Sequence, residues 1–193
     1  MADSRTMHDR YVIRRKLFKV FGQAFHIYHP NGDLAFYADM KAFRLKEDIR
    51  LYTDESKQQE VLMMKARQVL DISATYDVVD STTDSKVGAL QRRGLRSMVR
   101  DDWRILDADD NEIGVIREDS TFLALVRRLL IKIIPQTFYA EIEGRRVLEL
   151  RQPFSLFVLK TDLDFSADTE RRLDRRLGIA AGVLLSAIEG RQN

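Results

Sequence analysis

The side chains that could do chemistry in this sequence fall into a few groups. Its three histidines are His8, His26 and His29. His26 and His29 stand three apart across a strand and a turn, which makes a poor metal pair, and no third ligand is evident. Carboxylates gather in Asp107-Ala-Asp-Asp-Asn-Glu112 and in Asp162-Leu-Asp-Phe-Ser-Ala-Asp168-Thr-Glu170. The first lacks the sixth-position Gly and twelfth-position Glu of a calcium loop, so it reads as a hairpin turn. The second offers oxygens at useful spacing, but capping the start of a helix explains it more simply. Cysteine is absent, which removes thiolate catalysis and cysteine-based metal sites together. There is no Gly-x-Ser-x-Gly, no phosphate-binding glycine loop and no His-Glu-x-x-His. The expectation is a protein without metal or cofactor, and not an enzyme.

The cationic side chains are more suggestive. Gln91–Arg100 carries Arg92, Arg93, Arg96 and Arg100, and arginine pairs bidentately with phosphate. Asp101 and Asp102 follow at once, and alternate strand residues face opposite ways, so a solvated, ion-paired face is the plainer reading. Arg127, Arg128 and Lys132 share the polar side of an amphipathic segment and could meet lipid headgroups. Three such cations supply only about 3 kcal/mol at an anionic surface. Arg171, Arg172, Arg175 and Arg176 lie among Glu170 and Asp174 and read as the exposed start of a helix, or as ties to the rest of the fold. The 32 basic and 30 acidic residues leave a charge of +2, which gives no bulk attraction to nucleic acid. No recognisable nucleic-acid-binding module is present either, which argues against that partner.

The elements that must position these groups are mostly short strands. Phe25–Tyr28 and Leu34–Tyr37 flank His29-Pro-Asn-Gly-Asp33; Trp103–Leu106 and Glu112–Ile116 flank Asp107–Asn111. Phe138–Ile142 and Arg145–Leu150 flank Glu143-Gly144. In each, β-prone residues surround a turn of Asn, Asp or Gly. Two looser pairs lie between, Ile49–Tyr52 with Val61–Lys65 and Ile72–Val79 with Lys86–Gln91. Tyr11–Leu17 before these hairpins and Ser155–Lys160 after them raise the count to about twelve. Leu17–Ile27, Lys41–Leu51 and Leu95–Ile105 align without a gap when Phe25, Ile49 and Trp103 are superposed, which suggests one strand pair reused around a barrel.

Two segments break this rhythm. Residues 121–134 place Phe122, Leu125, Val126, Leu129, Leu130 and Ile133 on one helical face, and Pro135 stops the helix. Residues 169–189 form a second helix, capped by Ser166 or Asp168, whose second half is apolar or small on every side. Such a helix must be surrounded. Its twelve apolar residues reach about 18 Å, short of the roughly 30 Å of bilayer hydrocarbon, so protein is the expected surrounding. The fold class is therefore mainly β with two helices: one domain over 1–193, a closed antiparallel barrel of about twelve strands around a buried apolar C-terminal helix. Residues 1–9 are expected to be flexible. Without a signal segment or membrane span, the expected location is cytoplasmic, with peripheral membrane contact left open.

This architecture is that of the tubby C-terminal superfamily, and the sequence resembles its LURP-one-related and phospholipid-scramblase-like branch. The residues that carry the likeness are Tyr11-Val-Ile-Arg-Arg-Lys-Leu17, Phe25-His-Ile-Tyr-His-Pro-Asn-Gly-Asp33 and Leu45-Lys-Glu-Asp-Ile49, then Arg100-Asp-Asp-Trp-Arg-Ile-Leu106 and Asp162-Leu-Asp164. The likeness runs from about Arg10 to Ile188. It implies a twelve-stranded barrel and, by way of tubby domains, binding to phosphoinositides through basic wall residues. The chain departs from scramblases before the last strand, where Leu150-Arg-Gln-Pro-Phe-Ser155 stands in place of an acidic calcium-associated stretch. Scramblase activity is thus not implied. Two expectations remain open: a binding module for anionic phospholipid headgroups or a protein partner, using Arg127, Arg128, Lys132, Arg92, Arg93 and Arg96; or a barrel that holds a small ligand, with an uncharacterised enzyme as a more distant alternative.

Overall fold

The structure, a computed structural model, describes residues 4–15, 23–40, 48–67, 74–92, 102–119, 136–153 and 160–189. Twelve strands run in chain order: β1 (Arg10–Arg15), β2 (Gln23–Tyr28), β3 (Leu34–Met40), β4 (Ile49–Tyr52), β5 (Glu60–Ala66) and β6 (Thr75–Asp80), then β7 (Ser85–Arg92), β8 (Trp103–Leu106), β9 (Glu112–Glu118), β10 (Gln136–Ile142), β11 (Arg145–Gln152) and β12 (Lys160–Asp164). Each pairs antiparallel with its neighbours in sequence, and β1 pairs with β12 from Arg10↔Asp164 to Arg14↔Lys160. The sheet therefore closes on itself and leaves no unpaired edge.

Why these residues make strands is visible in their alternation. Along β4 the order is buried Ile49, exposed Arg50, buried Leu51; β10 alternates in the same way through Phe138, Ala140 and Ile142. The three positions superposed in the internal match, Phe25, Ile49 and Trp103, are all buried. The hairpin turns also follow the chemistry of their residues. Glu143 and Gly144 both have positive φ, at 49° and 73°, which is the two-residue turn whose twist matches the flanking strands. Asp107 shapes its own turn by accepting from the backbone N–H of Asp109 at 2.9 Å and of Asn111 at 2.8 Å.

Two boundaries differ from the sequence reading. The last strand runs on to Asp164, past the Lys160 at which the sequence reading ended it; of the expected Ser155–Lys160, residues 155–159 lie outside the described set. Thr161, Leu163 and Phe165 alternate inward there, so Asp162 and Asp164 are outward strand residues and not part of the helix cap. The terminal helix, α1, spans Arg175–Glu189 rather than beginning at residue 169. Its cap is Asp174, neither Ser166 nor Asp168: the Asp174 carbonyl accepts from Gly178 N–H at 3.2 Å and its carboxylate from Arg176 N–H at 2.9 Å. The expected helix over 121–134 lies outside the described residues.

Every side chain of α1 from Leu177 to Ala187 is buried. The helix contacts β1 and β12 as well as β6 and β7, strands about half the ring apart. Its glycines face the sheet at very close range. A Cβ at Gly178 would stand 2.3 Å from a Phe165 ring carbon, and one at Gly182 would stand 2.8 Å from Ile13 Cδ1. The one polar residue in the apolar half, Ser186, donates to the Gly182 carbonyl at 2.7 Å and bonds Thr161 Oγ1 at 2.8 Å, so no hydroxyl is left unsatisfied there. Gly178→Ala gains about 1 kcal/mol of helix propensity, yet we expect a net loss of about 1–3 kcal/mol from overpacking against Phe165. A urea unfolding midpoint above that of the unsubstituted protein would contradict this packing.

Candidate functional site

At the end of the barrel where α1 begins, the ring is not filled. The short 3-10 turn Ser4–Thr6, the β6–β7 turn and residues 165–174 meet here. Between α1 and the wall made by β3, β4 and β5 lies a cavity of about 500 Å³. Its inner surface is apolar: Phe36, Leu51, Val61 and Leu62 from the strands, Leu173 and Ile179 from the helix side. Its rim is polar, with Asp80, Thr82, Thr83 and Ser85 around the β6–β7 turn opposite Arg171, Asp174, Arg175 and Arg176. Met7, the most exposed large apolar residue described at 44%, stands on the same rim. An apolar concavity of this size with a few polar groups at one end is the usual form of a small-molecule site.

The rim is built on two arginines that begin the helix. Arg175 is only 5% exposed. Its Nη1 donates to Asp168 Oδ2 at 2.6 Å, and its Nη2 to Asp9 Oδ1 at 2.9 Å, just ahead of β1. Phe165 lies beneath the guanidinium, with its ring centroid 4.5 Å from Cζ. Asp168, itself buried, also accepts from the backbone N–H of Arg172 and Leu173, so it organises the loop before the helix. One donor remains: Arg175 Nε is buried and has no acceptor among the described residues. A buried donor left unpaired costs about 1–3 kcal/mol.

Arg176 reaches across the rim. It donates to Asp80 Oδ2 at 2.6 Å, at the end of β6, and to Asp174 Oδ2 at 2.6 Å. The Asp174 carboxylate holds the Arg176 guanidinium above its ordinary pKa. Burial pushes Asp80 upward, but bonds from Thr82 and Arg176 outweigh it and hold its carboxyl below the usual range. Arg171 instead donates to the Met7 carbonyl at 3.2 Å and has no carboxylate partner among the described residues. Tyr11 completes the strap over this end, donating to the Arg5 carbonyl at 2.9 Å and accepting from His8 N–H at 3.2 Å. Burial raises its phenol to about 12.

Arg127, Arg128, Lys132, Arg93 and Arg96 fall outside the described residues; Arg92 ends β7, opposite Trp103. The acidic stretch 162–170 is not gathered around a common point. Asp162 pairs with Lys160, Asp164 with Arg10, Asp168 with Arg175, and Glu170 with Arg172 and Arg145. Asp110 is likewise bonded by Lys86 and Arg67. Among the described residues no three His, Cys, Asp or Glu side chains are grouped to hold a metal. His26 bonds Glu55 at 2.6 Å, while His29 packs on His8 with ring centroids 4.3 Å apart. Arg175 and Arg176 were legible as possible ties to the fold. The missed signal was that Arg175 stands within one turn of a run apolar on all sides, on the face that continues into Ile179, so its charge sinks with the helix. No protein-family model matches the chain, and comparison with curated proteins and with solved structures finds no similar one.

Two outcomes follow from this geometry. Asp168→Ala leaves the Arg175 charge buried and should cost about 3–5 kcal/mol. The double variant Asp168→Ala with Arg175→Met should cost less than that single, a difference that thermal denaturation would read. The Tyr11 phenol, raised in the folded state, contributes stability in full below pH 10 and loses it as pH climbs through about 12. Tyr37 is raised by burial in the same direction. Tyr11→Phe should therefore flatten, without abolishing, the alkaline fall in stability measured by urea titration between pH 9 and 12.

Proposed function

We propose that this chain is a non-enzymatic, tubby-like barrel closed around its C-terminal helix, and that it holds one small amphipathic molecule. The observation that carries the reading is the cavity between α1 and the β3–β5 wall, apolar within and polar at its rim. A barrel kept only for its shape gains nothing from that space. Unfilled volume beside Leu51 and Ile179 forfeits the contacts that would otherwise stabilise the core. The polar rim supports a ligand with two ends: a hydrocarbon portion lying along Phe36, Leu51 and Ile179, and a polar portion near Arg175 and Thr82.

The alternative is a module for an anionic phospholipid surface or a protein partner. Among the described residues, the exposed large apolar side chain is Met7 alone, and it stands on the cavity's rim. That placement suits a guest entering the barrel better than a bilayer beneath it. No helix among the described residues is long and apolar enough to cross a membrane.

An uncharged fluorophore such as 1-aminoanthracene should bind with one-to-one stoichiometry and brighten as it leaves water. Val61→Trp, which fills the cavity from β5, should weaken that binding by at least about tenfold, equal to about 1.4 kcal/mol. Undiminished binding to Val61→Trp would remove this cavity as the site. Recovery on acidic but not neutral liposomes, with the fluorophore unbound, would favour the membrane reading instead.

A further inference from the structure

We infer that the guest is a single-chain carboxylate, with its hydrocarbon in the cavity and its carboxylate on Arg171 at the rim. This rests on the ligand-binding reading above and narrows it to a chemical class.

The charges that line the cavity are three arginines, Arg171, Arg175 and Arg176, against two aspartates, Asp80 and Asp174. Their existing partners decide which of them can receive a guest. Both aspartates are bonded by Arg176. Arg175 is held by Asp168 and Asp9, neither of which lines the cavity. Arg171 is the lining charge that remains. Among the described residues its guanidinium reaches Met7 alone, donating to the carbonyl at 3.2 Å and to Sδ at 3.3 Å. Both acceptors are neutral, so the charge has no counter-ion there. Five N–H groups leave donors to spare for the two oxygens of a carboxylate.

The backbone holds Arg171 at this place. Its φ of 52° is left-handed, and its N–H donates at 3.1 Å to the carbonyl of Asp168, the residue that anchors Arg175. Arg171 is also exposed, so a carboxylate bound to it keeps part of its hydration instead of entering the barrel bare. The same exposure makes the pair a modest one. Most of the affinity comes from the chain, which covers Phe36, Leu51 and Ile179. A cavity of about 500 Å³ encloses one drug-sized molecule, which suits one chain better than the two of a phospholipid. A cationic head would meet Arg171 as a like charge, and the aspartates that could pair with it are already taken by Arg176.

The test reads displacement of bound 1-aminoanthracene by decanoate, decanol and decylammonium. Decanoate should compete better than decylammonium on the unsubstituted protein. Arg171→Gln should weaken decanoate by about two- to fivefold and leave decanol unchanged, and Arg171→Lys should retain most of the decanoate affinity. Equal losses for decanoate and decanol would make Arg171 a tie for Met7 only and overturn the inference, as would a decanoate affinity that Arg171→Gln does not change. In either case the cavity still stands as a ligand site. Salt supplies a measurement that needs no variant. Raising sodium chloride from about 0.1 to about 1 M shortens the screening distance from about 10 to about 3 Å, so decanoate should lose ground to decanol. A ratio indifferent to salt overturns the inference even if Arg171→Gln does not fold. If the fluorophore does not bind at all, the ligand-binding reading fails and this inference with it.

Discussion

Taking the guanidinium of Arg175 out of water sets the terms for one whole end of the molecule. A charge buried that deeply must be matched, and the two carboxylates that match it come from places far apart in the chain. Asp9 stands before the first strand and Asp168 follows the last. Their bonds to one side chain tie the start of β1, the exit of β12 and the first turn of α1 together. The helix start, the strap over the barrel's end and the shape of the cavity rim all follow from that junction. Such an arrangement is not a large net source of stability, because desolvation offsets most of the attraction. What it fixes is position.

Beyond that junction the fold is a matter of fitting a slender rod against a sheet. Gly178 and Gly182 let the α1 backbone come within reach of Phe165, Ile13 and Leu163, where any larger side chain would collide. On its other flank, Leu177 packs so near Gly88 of β7 that a Cβ there would lie 2.9 Å from Leu177 Cδ1. Small residues thus alternate between helix and wall to keep both sides in contact. Near the start of α1 that complementarity lapses, and the cavity opens between Leu173 and Ile179 on one side and β3, β4 and β5 on the other.

Much of the barrel was legible in the sequence because strand alternation and turn chemistry are local. Asn31, Gly32 and Asp33 or Glu143 and Gly144 announce hairpins within a few residues, and the structure pairs the flanking strands as expected. The end of the last strand at Asp164 was missed because Asp162 and Asp164 look like capping residues when the inward alternation of Thr161, Leu163 and Phe165 goes unread. The helix start was misplaced for a related reason. Ser166 and Asp168 stand ahead of a continuous charged run and read as its cap, but Asp168 is taken up by Arg175 and the cap falls to Asp174. The cavity was not legible at all. Its wall joins Phe36, Leu51, Leu62 and Ile179, which no local pattern brings together.

The pairing of β1 with β12 also has a meaning in time. Arg10 and Asp164, partners in the closing register, are separated by 154 positions in the chain. During synthesis the first strand is made long before its last neighbour exists, so one of its edges waits uncovered while more than a hundred residues follow. Contacts between such distant partners slow folding, and open strand edges invite pairing with other chains in the interval. The nascent barrel therefore spends its most vulnerable period as an incomplete curl of sheet. Its completion awaits the same stretch of chain that delivers Asp168 and Arg175.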